Sequence, residues 1–356
     1  MTEQLVLATL LQQKNDSELT SLVRQRKINL QRIKDFFDLA KQLLNKKKLD
    51  PVIQSLSREQ LKVISEKTDP KLIEKLLLGS EGQLFESVEA VLEDLEIPQP
   101  LSIPATTPSD VDRAAINAHY TLLAVTEILV QVDSHPIKAT ARGVAVSDAK
   151  WIAKTLGWDI KDIINAFDLS AEAGLIAPID GRWQLTESSE RWQRSDANTK
   201  LLWFLETISS LDDNLPIDVS PGESIAISTK NQYPLFKAEH PMVKYADLLA
   251  LAVDGYATEL LQTLNKKGAQ ACAKQIASHL PKPVNQLIVQ ADLTMIAPGP
   301  IDYPTDRLIR LFAEPENVSL ASNFRLTTNS VVHGMECGLS EKEIRNTLKK
   351  LATTEI

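Results

Sequence analysis

Residues 157–186 read GWDIKDIINAFDLSAEAGLIAPIDGRWQLT. Asp159 offers a side-chain oxygen to the unpaired N–H groups that open a helix. Ile160, Ile163, Ile164, Phe167 and Ala171 then fall on one helical face, and Gly174 stops the run. Residues 175–179 and 182–186 are extended segments joined by Asp180-Gly181. Asp-Gly suits a two-residue type I′ turn, because both central residues need positive φ. The stretch predicts a helix followed by a hairpin.

Upstream, residues 114–132 predict a long helix. After Pro136 a short extended piece, IKAT, leads to Arg142-Gly143. Ser147 can cap a second helix that runs to Leu156, with Gly157 as its stop. Helix, short strand, helix, helix and hairpin is the order of a winged helix-turn-helix. Trp151, Trp158, Trp183 and Trp192 gather in this region, and Trp183 alternates with Leu185 on one strand face, a core position.

On either side the chain changes character. Residues 1–75 carry 15 Lys and Arg against 10 Asp and Glu, whereas 76–115 carry 1 against 8. Only the N-terminal block is basic, within a chain of net charge −8. Its residues 1–97 predict short helices. Leu30, Ile33, Phe36, Phe37, Ala40 and Leu44 make one apolar stripe, and Ser57 to Gln60 has capping-box spacing. Pro98, Pro100, Pro104 and Pro108 make 98–112 an extended linker or strap. Residues 196–282 predict helices around a polar interruption at 212–234. Residues 283–356 alternate apolar and polar over 287–297, break at Pro298-Gly299-Pro300, and continue as helix, extended piece (318–326) and two capped helices. The expected fold is mainly α with small α+β parts. It has five segments: a basic helical domain (1–97), a linker (98–112), the winged unit (113–195), a helical connection (196–282) and a C-terminal α+β module (283–356).

Catalytic signatures are missing. No phosphate-loop, dinucleotide, nucleophile-elbow or zinc-protease pattern occurs. The five histidines have no metal-ligand spacing. Asp212-Asp213 reads as a solvated loop, and His333 with Cys337 as neighbours on a helix. The reading is therefore no enzyme, no cofactor and no metal. Cys272 and Cys337 make no disulfide framework, which suits a reducing cytoplasm, and 114–132 is too interrupted by polar residues to predict a membrane span.

A binding reading needs charge in the right place. The third helix of a winged unit usually enters the major groove. Here its outer face holds Lys161, Asp162, Asn165, Asp168 and Glu172, which would repel phosphates. Asp162, Asp168 and Glu172 are instead candidates for a partner-protein face. Candidate DNA contacts lie elsewhere: Lys138, Arg142, Lys150, Lys154 and the hairpin-tip Arg182, and in the basic block Arg24, Arg26, Lys46, Lys47 and Lys48. A Lys run at a helix end also suits the carbonyl pole of a helix without any ligand.

PIKATARGVAVSDAKWIAKTLG with AEAGLIAPIDGRWQLT resembles the winged-helix part of bacterial helicase-associated domain proteins. LIVQADLTMIAPGP with FRLTTNSVVHGMECGLSEKEIRNTLKKLA resembles the module that names that family, which is similar to the N-terminal domain of XPB-type helicases. Gln290, Asp292, Thr294 and Arg325 are its signature residues here, of structural type. Asp292 suggests a turn or a side-chain-to-backbone bond. The resemblance implies a non-catalytic cytoplasmic protein of DNA repair or unwinding. DNA is its expected partner, with an XPB-type helicase or another repair or transcription protein as a further one. The alternative is an adaptor that docks on such a protein without touching DNA. Where the family is glycine-rich and aromatic before FRLT, this chain has SLASN.

Overall fold

Side-chain caps punctuate the first hundred residues. In the computed structural model, which describes residues 2–104, 106–107, 109–141, 143–212 and 216–353, they separate α1 (Glu3–Gln12), α2 (Asp16–Gln25), α3 (Phe36–Leu43), α4 (Lys46–Gln54), α5 (Arg58–Ser65) and α6 (Pro70–Lys75). A small hairpin of β1 (Gly79–Ser80) and β2 (Gln83–Leu84) precedes α7 (Glu86–Glu93). Asn15, Asp35, Asn45, Ser57 and Asp69 each accept a backbone N–H of the helix they open. Such a cap contributes about 1 kcal/mol. Helices this short do not hold alone. Leu7, Leu11, Leu43, Ile53, Leu61, Ile64, Ile73 and Val88 bury one shared core.

The stripe expected to start at Leu30 does not form one helix. Asn29 starts a single 3-10 turn and Asp35 starts α3, so Leu30 and Phe37 end up 62% and 45% exposed. The proline-rich strap lies along this unit. The Arg58 guanidinium donates to the carbonyls of Pro98 (2.8 Å) and Asn231 (2.9 Å), and the Asn231 amide bonds both backbone groups of Leu101. Residues 226–240 thus belong with the N-terminal helices, and the chain divides into two compact units. One comprises Met1–Pro104, Asp213–Ile217 and Ala226–His240, the other Ala105–Asp212, Asp218–Ile225 and Pro241–Ile356.

The second unit opens with α8 (Val111–Ser134), capped by Asp110. By length and composition α8 could cross a membrane, but 61% of its apolar window is buried inside the protein. Ala114, Ala115, Ala118 and Ala124 are all buried and leave room for neighbours. Next come β3 (Ala139–Thr140), β4 (Gly143–Val144), α9 (Val146–Leu156), α10 (Ile160–Glu172), β5 (Ile176–Ile179), β6 (Arg182–Leu185), α11 (Glu187–Arg194) and α12 (Ala197–Asp212). Beyond α13 (Ile225–Gln232), which lies in the first unit from Ala226 on, follow α14 (Pro241–Tyr245), β7 (Ala252–Val253), β8 (Tyr256–Ala257) and α15 (Glu259–His279), the last broken at Gly268. α8 packs on α10, α12 and α15. The expected segments 113–195 and 283–356 therefore share one compact unit with most of 196–282, whose residues 213–217 and 226–240 belong to the first unit.

Local expectations change here. α13 lies inside the stretch 212–234 that reads as an interruption. The second helix starts at Val146, with Ala145 in the cap position, and the expected cap Ser147 lies inside it with its hydroxyl donating to Asp148 at 3.2 Å. The order is helix, hairpin, helix, helix and hairpin: where the sequence predicts one short strand after Pro136, β3 and β4 pair with each other. Asp159 caps α10, Gly157 closes α9, and Asp180 and Gly181 have φ of +50° and +74°. Gly181→Val should cost about 1–2 kcal/mol, the strain of an L-residue in the left-handed region. Denaturant titration would measure it, and an unchanged midpoint would mean that the turn can rearrange.

The C-terminal part pairs β9 (Ile288–Val289), β10 (Thr294–Ile296), β11 (Glu314–Asn317) and β12 (Asn323–Arg325) in the antiparallel order β11-β12-β10-β9. Against it lie α16 (Tyr303–Phe312), α17 (Thr328–Glu336) and α18 (Glu341–Leu351). The alternation over 287–297 is not one strand. Leu293 at φ +66° turns the chain, so β9 and β10 form a hairpin. Of the extended piece expected at 318–326 only β12 is strand: β11 lies just before it, and 318–322 make the turn between the two. Thr327 and Ser340 form the capping boxes of α17 and α18. Met295, Ile309, Phe312, Phe324, Ile344 and Leu351 fill a core of their own.

Candidate nucleic-acid interface

Beside the β5–β6 hairpin runs a third extended segment. The Ala139 N–H donates to the Gly181 carbonyl and the Trp183 N–H to the Ile137 carbonyl, both at 2.9 Å. This sets Lys138 directly opposite Arg182 in an antiparallel bridge. Directly opposed residues project to the same face. Ile137 and Trp183 are buried, the indole edge-on to Phe167 at 5.5 Å, while Lys138 and Arg182 are exposed. Two like charges placed opposite each other cost stability. The bond from Lys138 N–H to Asp148 ties this edge to the first turn of α9. Lys150 and Lys154 stand exposed on the same helix, as does Trp151, whose ring meets His135 at 4.7 Å. Arg142 lies outside the described residues.

α10 carries the opposite charge. Asp162 and Glu172 are exposed, and partial burial together with the nearby Asp159 carboxylate pushes the Asp162 carboxyl up. Asp168 differs from them, since its carboxylate meets the Lys244 ammonium at 2.5 Å and both are largely covered. It is an internal tether.

The basic N-terminal block dissolves into separate roles. The Arg26 guanidinium is half-buried and donates to the carbonyls of Lys48 (3.3 Å) and Leu76 (3.0 Å), and burial lowers its pKa to about 10. It closes α6 and is not presented to a ligand. Lys46 pairs with Asp94 at 3.3 Å, and Lys48 donates to the Lys27 carbonyl at 2.7 Å. The Lys run opens α4 and does not end that helix, although the Lys48 ammonium reaches a carbonyl just past the C-terminal end of α2. Arg24 and Lys47 remain exposed, with no ion pair among the described residues.

The signature residues build a turn. Asp292 accepts both the backbone N–H and the hydroxyl of Thr294 at 3.1 Å, bonds that hold its carboxyl below the ordinary range. Thr294 pairs with Arg325 across β10 and β12, and Arg325 meets Glu316 on the next strand. The Gln290 N–H donates to the Thr294 carbonyl at 2.8 Å. These residues set the β9–β10 hairpin and contribute no reactive group.

Residues 287–356 match the helicase conserved C-terminal domain. The match supports a helicase-associated domain at this end of the chain and suggests a helicase-related role. No curated protein matches the chain.

Two buried charges escaped sequence reading. Glu127, in α8, is almost fully buried and takes both terminal nitrogens of Arg310, at 2.5 and 3.2 Å, while Arg310 Nε reaches Asp306 at 2.7 Å. Burial outweighs Arg310 and pushes the Glu127 carboxyl up. Lys200 of α12 is also buried, over the rings of Trp192 and Tyr303. The only available signal was a charge inside an apolar helical pattern, and exposed helix charges give the same pattern.

Proposed function

We propose that this chain is a non-catalytic DNA-binding accessory of DNA repair or unwinding, with 113–195 acting as a winged helix. The observation that carries this reading is the exposed Lys138–Arg182 pair at the hairpin edge. Phosphates can relieve the repulsion of two cations held opposite each other, and releasing condensed counterions drives that contact. Lys150 and Lys154 extend the footprint along α9. The acidic outer face of α10 argues against groove insertion by the third helix, so the hairpin edge is the contact. The C-terminal module, which matches a helicase domain and resembles a module of XPB-type helicases, supports a place beside an unwinding enzyme.

Fluorescence anisotropy of the whole chain with single-stranded, duplex and forked DNA tests the reading. Micromolar binding that falls steeply with salt is expected. Removing one phosphate-binding cation should flatten the log–log salt slope by about 0.9 on duplex DNA. K138E/R182E should therefore weaken binding at least about tenfold and flatten the slope by about 2. No binding at low salt would overturn direct DNA contact.

One observation favours a second reading, an adaptor docked on a helicase or a repair or transcription factor. Asp162 and Glu172 are exposed on one helix, as a basic partner surface would require. Salt-insensitive capture of a partner, abolished on reversing these two charges, would support it.

A further inference from the structure

The second unit holds a cleft of about 550 Å³ between α8, the start of α12, the end of α15 and α16. That volume suits a ligand of nucleotide size. Leu122, Leu123, Ile301 and Val318 make part of its wall apolar. Its carboxylates are already engaged. Glu127 and Asp306 hold Arg310, Asp196 accepts the Thr199 N–H, and Asp302 accepts the Thr305 N–H and the Asn285 amide.

Of its cations, Arg310 and Arg194 are paired with carboxylates, whereas two lysines are not. Lys200 lines the cleft and is only 8% exposed, yet no carboxylate lies within ion-pair distance of it among the described residues. Its ammonium rests on the rings of Trp192 (4.6 Å) and Tyr303 (5.1 Å), and burial lowers its pKa to about 8 even though Asp306 and Asp196 oppose the shift. Lys282 at the rim is exposed, with no ion pair among the described residues. His119 Nε2 is buried without a partner, and burial holds this imidazole neutral at pH 7. A buried ammonium without an anion is an incomplete ion pair, and completing it offsets part of the desolvation cost.

We propose that this cleft binds a phosphate monoester, with its phosphate on Lys200 and Lys282 and its organic body against the apolar wall. Two ammonium point charges fit a compact oxyanion with several acceptors better than a planar carboxylate. This reading is independent of DNA contact at the hairpin.

Calorimetric titration of the full chain with phenyl phosphate, AMP and benzoate tests it. The two phosphate esters should bind at least tenfold more tightly than benzoate. Binding at pH 8 should take up protons, seen as heat that varies with buffer ionisation enthalpy, because the phosphate raises the Lys200 pKa. Lys200→Met should lower ester affinity at least tenfold and abolish the proton uptake. If that variant does not fold, amine labelling of the native chain replaces it: Lys200 should label at pH 8 and be protected by phenyl phosphate. No ester binding at millimolar concentration, equal binding of benzoate, or unprotected Lys200 would each overturn the proposal.

Discussion

Arg310→Met should destabilise the second unit by about 3–5 kcal/mol at neutral pH. The variant leaves the Glu127 carboxyl buried without its two best donors. The loss should depend on pH in a definite direction. The folded-state pKa of Glu127 already lies above its unfolded value, and removing the Arg310 charge raises it further. The folded state then binds more protons than the unfolded one, so stability falls as pH rises through that window. The gap between variant and native chain should therefore widen as pH rises above the ordinary carboxylate range. Urea titrations at several pH values would measure it. A pH-independent loss would mean that packing of the Arg310 stem dominates. Glu127→Leu in the same chain should restore most of the stability, because an apolar pair carries no desolvation cost.

Phe324→Ala should cost about 3–5 kcal/mol, the range for an aromatic deleted from a close-packed core. Phe324 is fully buried on β12, opposite Met295 and Pro315. Its core shares no residue with the core of Leu7, Ile64 and Val88 in the first unit. The damage should therefore be confined. Hydrogen exchange should lose protection over residues 287–351 and keep it over residues 3–93. Equal loss in both regions would show that the units unfold as one.

The helix pattern of this protein was legible because its signals are local. A cap needs only a side chain two or three residues from the N–H it accepts, so Asp159, Ser57, Thr327 and Ser340 announce their helices. Asp180-Gly181 announces its turn for the same reason. Short strands were harder to place. The alternation at 287–297 does not reveal that Leu293 adopts positive φ, and a two-residue hairpin such as β7–β8 carries too little pattern to read.

The signs and positions of the charges are sequence properties, but what each charge does was decided by tertiary structure. Lys138 and Arg182 lie 44 residues apart, and only the antiparallel bridge makes them one cationic edge. Arg26 and Lys48 look like DNA contacts until carbonyls far along the chain claim them. Glu127 finds Arg310 across 183 residues, and Lys200 finds two rings and a cleft. By itself the sequence determined the helices, the turns and the absence of recognisable catalytic motifs, because these depend on neighbours within a few positions. The tertiary fold decided which charges are tethers, which face a cleft and which remain open to a ligand, because burial and pairing depend on contacts between distant segments.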